Sequence, residues 1–446
     1  MNHQKISKEF LKDKEYASWH DKALWYVREK RDQATKVLDE YEDLREEAKR
    51  IKEHTIEHLG YYLEEFEKNA TKNGIKIHYA KDSHEHNKIA YQIIKDANAK
   101  KVVKSKSMLT EECGLNHYLE NLGIEVIDTD LGERIVQLRG EAPTHIVLPA
   151  IHLKKEQIAK LFEEKLGAKK GKSDPKYLTN LARESLREKF LEADVAMTGV
   201  NFAISQSGSI VVCTNEGNAD LGVSLAKVHI ASMGIEKVIP TISDLGVFTR
   251  LLARSATGQA ITTYTSHFNA PQKGKEFHII IVDNGRSKII KDKTHKNSLH
   301  CIRCGACLNT CPIYRRSGGK SYSYTIPGPI GSILANSKDN KNQADLAFAS
   351  TLCGSCTDVC PVKIDIHSQL LSFRKEYISS HERWYKKIFY KLLYKILSNQ
   401  RLYTIFLKLY YHLYPLTRYI GWGEGRDIPK PAKKSFKEIY RSRYEK

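Results

Sequence analysis

The chain begins as a polar run broken by apolar residues at helical spacing. Trp19, Ala23, Tyr26 and Val27 open a stripe that Val37, Tyr41 and Leu44 continue, and no Pro or Gly precedes Gly60. That spacing predicts an N-terminal helical segment over 1–70, made of two helices. From about Gly74 the texture changes to short apolar runs of strand length, at 75–79, 101–104, 124–127, 145–148, 195–198, 209–213, 227–232 and 277–282. Helical readings at 89–97, 114–122, 154–165 and 177–191 lie between them. This alternation predicts an α/β domain over 71–290 with a largely parallel sheet. A polar, basic stretch at 284–297 reads as a linker or domain edge.

Beyond 381 apolar and basic residues interleave. Trp384, Ile388, Phe389, Leu392, Ile396, Leu397, Phe406, Leu407 and Tyr410 keep helical spacing, while Lys386, Lys387, Lys391, Lys395 and Lys408 interrupt it. Residues 381–446 hold 16 Lys+Arg against 5 Asp+Glu, so this tail supplies +11 of the chain's +19. Such a segment can lie on an anionic membrane surface, dock on sister subunits, or pack on the chain's own core. After Trp422, with Pro429 and Pro431, an extended end is expected.

At 446 residues, 41% hydrophobic and 28% charged, the chain suits two or three folded modules and excludes wholesale disorder. No stretch approaches the roughly 20 apolar residues of a membrane span. Residues 1–30 carry no apolar signal region. A cytoplasmic protein is expected, with any membrane association confined to the tail. The basic balance favours anionic partners. No nucleic-acid recognition motif accompanies it, and no nucleic-acid partner is expected.

Seven of the nine cysteines fall between Cys301 and Cys360. A disulfide scaffold would spread them in pairs over the fold. Cys301, Cys304, Cys307 and Cys311-Pro312 form a full C-x2-C-x2-C-x3-C-P run; Cys353, Cys356 and Cys360-Pro361 repeat it without the first cysteine. Three thiolates two residues apart wrap one face of an iron–sulfur cube, and the cysteine before Pro ligates the other cluster. Cluster 1 then takes Cys301, Cys304, Cys307 and Cys360, and cluster 2 takes Cys311, Cys353 and Cys356. Aligned on the C-P ends, Ser350 stands where the eighth cysteine is missing. The fourth ligand of cluster 2 is therefore Ser350, a distant thiol such as Cys113 or Cys213, or solvent, unless the cluster is a three-iron form. Structural zinc, which favours well-separated C-x2-C pairs, fits less well. The module, placed at 298–380 with a helical reading at 343–351, resembles the α-helical ferredoxin modules of succinate and glycerol-phosphate dehydrogenase subunits. Two interlocked clusters point to one-electron relay.

Several upstream stretches act as a set: residues 105–112 with Gly114 to Asn116, 128–133, 143–149, Gly199 to Phe202, Ser207 to Ile210, Thr214 to Asn218 and His229 to Gly234. Together with the cysteine runs they resemble the lactate utilization protein B family, the iron–sulfur subunit of a bacterial L-lactate utilization system. The resemblance implies a LUD-type domain of NagB/ribose-isomerase/CoA-transferase-like fold. It also implies seven motif cysteines, sister subunits, and electron transfer during oxidation of L-lactate to pyruvate. The sequence holds no G-x-G-x-x-G at a strand-to-helix turn, so a flavin or nicotinamide is expected on another subunit. The alternative is an α/β domain that is itself an acyl- or sugar-handling enzyme, its clusters serving redox control. Glu216, beside Gly217, is then the candidate catalytic carboxylate, against a plain turn supplied by Asn215, Gly217 and Asn218. Ser207 to Ser209 reads as an anion loop or a turn. His145, His152 and His229 read as satisfied core histidines. Cys113 and Cys213 read as buried small residues.

Overall fold

The computed structural model describes residues 3–381, 384–419 and 430–444. Ten strands build two sheets: β1 Lys76–Ala80, β2 Lys101–Lys104, β3 Glu125–Asp128, β4 Val195–Gly199, β5 Phe202–Ile204, β6 Ser209–Thr214, β7 Val228–Gly234, β8 Val238–Ile239, β9 Tyr264–Phe268 and β10 Glu276–Val282. The larger sheet, in order β1-β10-β7-β4-β2-β3, is parallel throughout. Helices cover both faces, so its strands are nearly continuous apolar runs. Along β10 the pleat splits them: Ile279 and Ile281 face Phe66 and Ala70, whereas Ile280 and Val282 face Ile93, Leu115 and Met197.

The smaller sheet, β8-β5-β6-β9, has no counterpart in the apolar runs of the sequence beyond β6. Its strands β5 and β8 are only 3 and 2 residues long, too short to register as apolar periods. The turn joining β5 to β6 packs tightly: a Cβ at Gly208, whose φ is +66°, would lie 2.2 Å from the Ala70 backbone N. The Gly208 N–H donates to the Ile204 carbonyl at 2.9 Å. Ser207 to Ser209 is thus a hairpin turn and not an anion loop.

Residues 145–148 are not a strand. The amides of Val147 and Leu148 donate to the ring Nδ1 of His145, each at 3.0 Å, which takes them from any sheet partner. The stretch at 284–297 is packed. It holds helix Arg286–Lys291 and a 3-10 turn Lys296–His300, with Arg286, Ile289 and His295 buried.

The N-terminal segment contains four helices, His3–Phe10, Lys14–Lys36, Tyr41–Glu57 and Leu59–Lys72, instead of two. Its expected apolar face is also rotated. Tyr26 and Val37 are exposed, and Ala17, His20, Leu24, Arg31 and Thr35 are buried. The buried stripe was hidden because it carries polar groups that serve backbone carbonyls farther along the chain. His20 Nδ1 lies 2.9 Å from the Arg315 carbonyl, and Arg31 Nη2 donates to that of Val359 at 3.3 Å. In the next helix Tyr41, Arg45, Ala48 and Lys52 form the same kind of stripe. One core joins these helices, the smaller sheet and the cysteine module.

At the end of β2, Lys104 is fully buried. Its ammonium lies 2.7 Å from Asp128 Oδ1, 3.1 Å from Glu111 Oε1 and 3.8 Å from Glu133 Oε2. Burial pushes the Glu133 carboxyl up to about 8, above its unfolded range. A carboxyl raised in this way binds its proton more tightly when folded, so its contribution to stability falls as pH rises from about 4.5 to about 8. Glu133→Gln should flatten that part of a Tm-against-pH curve relative to the parent, read by differential scanning fluorimetry under anaerobic conditions.

A second unit spans Glu376–Lys446. The helical tail is broken at Asn399, whose side chain accepts the Arg401 and Leu402 amides and so starts a new helix. Helices Trp384–Ser398 and Gln400–Leu413 bury no residue, and Trp384, Phe389, Leu392 and Ile405 are exposed. Of the extended end expected after Trp422, the part through Pro429 lies outside the described residues. Beyond it Phe436–Tyr444 is helical, started by a reciprocal cap between Ser435 and Glu438 that the S-x-x-E pattern could have disclosed. Among the described residues no helix is long and apolar enough to cross a membrane.

Candidate metal centre and adjoining pocket

Each cysteine is placed by a local turn. Gly305 (φ +76°) and Arg303 (φ +62°) hold the first loop in left-handed conformations. A Cβ on Gly305 would lie 3.1 Å from His145 Cε1, so the loop sits directly against the α/β domain. His145 is fixed there by its Nε2, 3.0 Å from Asn309 Oδ1, and burial pulls its imidazole down to about 3. It is neutral and structural. His152, between Thr144 and Glu141, and His229, bonded to Thr198 and stacked on Phe277, are satisfied in the same way.

Cys301, Cys304, Cys307 and Cys360 line one small apolar cavity with Ile146, Ile302 and Ile364. Cys311, Cys353 and Cys356 form the second set, and the helix Ala306–Thr310, which carries Cys307, packs on the helix Ser355–Asp358, which carries Cys356, with the Thr310 and Ser355 hydroxyls 2.5 Å apart. Cys353 is exposed and Cys356 buried. Burial pushes the Cys356 thiol up to about 12 and that of Cys360 up to about 11; neighbouring thiolates add to both shifts. Without metal such groups are neutral thiols, and a cationic metal centre would offset the cost of their losing the proton on ligation. Backbone amides of Arg303, Tyr314 and Ile364 point at the sulfurs of Cys301, Cys311 and Cys360, at 3.4, 3.5 and 3.4 Å. Such N–H···S contacts tune iron–sulfur potentials. Four thiols around one cavity, with amides aimed at sulfur, fit a cubane. Among the described residues no three His, Cys, Asp or Glu side chains gather as around a single ion.

Ser350, at the position of the missing cysteine, uses its Oγ to accept the Leu352 amide at 3.1 Å. Cys113 lies in the core of the parallel sheet, and Cys213 on β6 faces a different pocket. Neither stands with the seven motif thiols.

The N-terminal helices grip the module, a contact that the sequence pattern did not disclose. Arg45 donates from Nη2 to the carbonyls of Asp358 (2.7 Å) and Cys360 (2.9 Å). Lys52 donates to the Glu236 carbonyl at 2.5 Å; burial pulls its ammonium down to about 8, with Glu236 and Cys301 opposing the shift. The available signal was the pair of basic residues, Arg45 and Lys52, in the stripe Tyr41, Arg45, Ala48 and Lys52, where apolar ones belong.

At the C-terminal ends of β2, β4 and β7 opens a pocket of about 310 Å³. Open parallel sheets hold their ligands at such ends. One wall carries Glu216, Asp130 and Lys106. Glu216 accepts the Leu131 amide at 3.1 Å and stays open to the pocket; partial burial and the nearby Asp130 carboxylate push it up to about 7. The lining also includes Lys237, Arg303 and Glu236, the last held by Arg286 Nε at 2.7 Å. Gly234 makes that pair possible, since a Cβ there would sit 2.1 Å from Glu236 Oε2. Ile146 lines both this pocket and the cysteine cavity, and Arg303 stands between Cys301 and Cys304 in the chain.

A parallel α/β domain followed by a helical two-cluster ferredoxin region defines the class. Residues 63–290 match the LUD domain and residues 297–364 the 4Fe-4S dicluster domain, which implies two iron–sulfur clusters. The chain is 42% identical over 427 residues to lactate utilization protein B of Bacillus cytotoxicus, covering 92% of this chain and 90% of that one. The protein of the same name from Macrococcus caseolyticus is 46% identical over 357 residues, 78% of this chain and 74% of that one. The chain belongs to the lactate utilization protein B family. A solved DUF162 family protein from Deinococcus radiodurans covers 50% of this chain and 98% of its own at 12% identity, with a TM-score of 0.29.

Proposed function

We propose that this chain is the iron–sulfur electron-transfer subunit of a complex that oxidises L-lactate to pyruvate. Cluster 1, a [4Fe-4S] cube, is held by Cys301, Cys304, Cys307 and Cys360. Cluster 2 is held by Cys311, Cys353 and Cys356, with a fourth ligand from Ser350 or solvent, or as a [3Fe-4S] form. The observation that carries the reading is the packing of the helix that carries Cys307 against the helix that carries Cys356, one from each set, tied by the hydroxyls of Thr310 and Ser355 at 2.5 Å, which favours two clusters side by side. The exposure of Cys353 makes cluster 2 the end of the relay that meets a partner. The relatives' shared name supplies the substrate. Sister subunits are the partners, and the exposed apolar and basic tail helices are the surface offered to them.

The test is anaerobic purification of the tagged chain from cells grown on L-lactate, with deletion of the chain in parallel. The expected result is brown protein with about eight irons, or about seven with a three-iron cluster, co-purifying partner subunits, and loss of growth on L-lactate only. Unimpaired growth on L-lactate, or iron-free protein, refutes the reading. Capture by anionic vesicles instead of partner subunits assigns the tail to lipid.

A further inference from the structure

We propose that the pocket at the C-terminal ends of β2, β4 and β7 binds a small organic monocarboxylate, its carboxylate seated on Lys237 and Arg303. The pocket's volume of about 310 Å³ suits a small molecule. Two unsatisfied donors line it. Arg303 Nη1 is buried without a hydrogen-bond partner, as is the hydroxyl of Thr214. The ammonium of Lys237 has no hydrogen bond or ion pair among the described residues. Arg303 Nη2 reaches Glu236 only at 3.8 Å, and that carboxylate is already engaged by Arg286. A guanidinium and an ammonium left facing a cavity call for an anion, and buried donors without one are costly.

The other charged groups of the lining limit the charge of that anion. Glu216 and Asp130 also line the pocket, and Lys106 is engaged by the Val147 carbonyl at 2.8 Å and lies 3.8 Å from Asp130. A carboxylate there disfavours a second anionic group, as in phosphate chains and dicarboxylates, and either carboxyl accepts a hydroxyl donor. The ligand is therefore singly charged at one end and hydrogen-bonding at the other, as a 2-hydroxy acid is. Contact with cluster 1 follows from Ile146, which lines both cavities, and from Arg303, which lines the pocket from within the cysteine loop. The carboxylate site stands on these residues alone; the choice of lactate as probe rests on the function proposed above.

The experiment is anaerobic isothermal titration of the full, cluster-loaded chain with L-lactate, pyruvate, 2-hydroxybutyrate, acetate and inorganic phosphate, alongside EPR of the reduced protein. A bound carboxylate should perturb the EPR signal of cluster 1, and Lys237→Met should weaken binding by about tenfold to a hundredfold. Lys237→Arg should restore it, and cluster absorbance should survive in both variants. Binding of 2-hydroxybutyrate without lactate or pyruvate supports the site and counts against the lactate reading. No carboxylate bound at about 10 mM, a Kd above the weak end of small-molecule affinity, overturns the proposal. Phosphate binding tighter than any carboxylate also overturns it. So does a Lys237→Met variant that shifts the cluster potential and leaves affinity unchanged, because the cations would then serve the cluster alone.

Discussion

Cys307→Ala should lower the iron content from about eight atoms to about four per chain and erase one of two cluster signals by EPR. Cys307 is buried on the cavity shared with Cys301, Cys304 and Cys360, and among the described residues lining it no other group can supply a soft ligand. Its removal also strips the core that joins the N-terminal helices to the module, because that core closes around the thiols together with Ile302, Leu308 and Ile364. A fall in Tm should accompany the iron loss. Cys113→Ala is the matched control. It removes a buried thiol from the sheet core, costs stability through lost packing, and should leave iron unchanged. Iron lost from the Cys113 variant would make that thiol a ligand of cluster 2 and overturn its purely structural role in the sheet core. Retention of all iron by the Cys307 variant would overturn the ligand set of cluster 1.

Lys104→Met should destabilise the α/β domain by about 3–5 kcal/mol, the cost of leaving buried carboxylates without their cation. For a domain of this size that corresponds to a fall of roughly 6–20 °C in Tm. Lys104 is 0% exposed, and Asp128 and Glu133 beside it are 4% and 2% exposed, so water cannot take over from the ammonium. Lys104 opposes the rise that burial imposes on the Glu133 carboxyl, so its loss moves that carboxyl further up. The variant's deficit should then grow as pH rises above about 8, where Glu133 of the parent ionises beside Lys104, and shrink as pH falls and Glu133 stays protonated in both. Adding Asp128→Asn to Lys104→Met should recover part of the loss at neutral pH. A deficit independent of pH, or no recovery in the double variant, would show that packing and not charge sets the cost.

The cysteine module was legible because its chemistry is local. Ligand spacing, the glycine in the loop and the C-P ends are set by residues within a few positions of one another, and they identify iron–sulfur ligation without reference to the rest of the fold. The parallel sheet was legible for a related reason. Strands buried on both faces must be apolar at almost every position, as β7 and β10 are, and such runs stand out against polar helices. The short β5 and β8 left no such mark. The run at 145–148 misled because His145 captures the amides that a strand would have donated to a neighbour.

The chain's own order of residues thus determined the metal chemistry, the class of the main domain and the basic, helical character of the tail, since each depends on neighbours in sequence. Only the tertiary structure decided which face of the N-terminal helices is buried. Arg31, Arg45 and Lys52 look like solvated residues until the carbonyls of Val359, Cys360 and Glu236, 184 to 328 positions away, are brought to them. The same holds for the pocket. Lys237, Arg303 and Thr214 carry no shared motif, and only long-range packing brings them to one cavity, with Arg303 Nη1 and the Thr214 hydroxyl left unpaired.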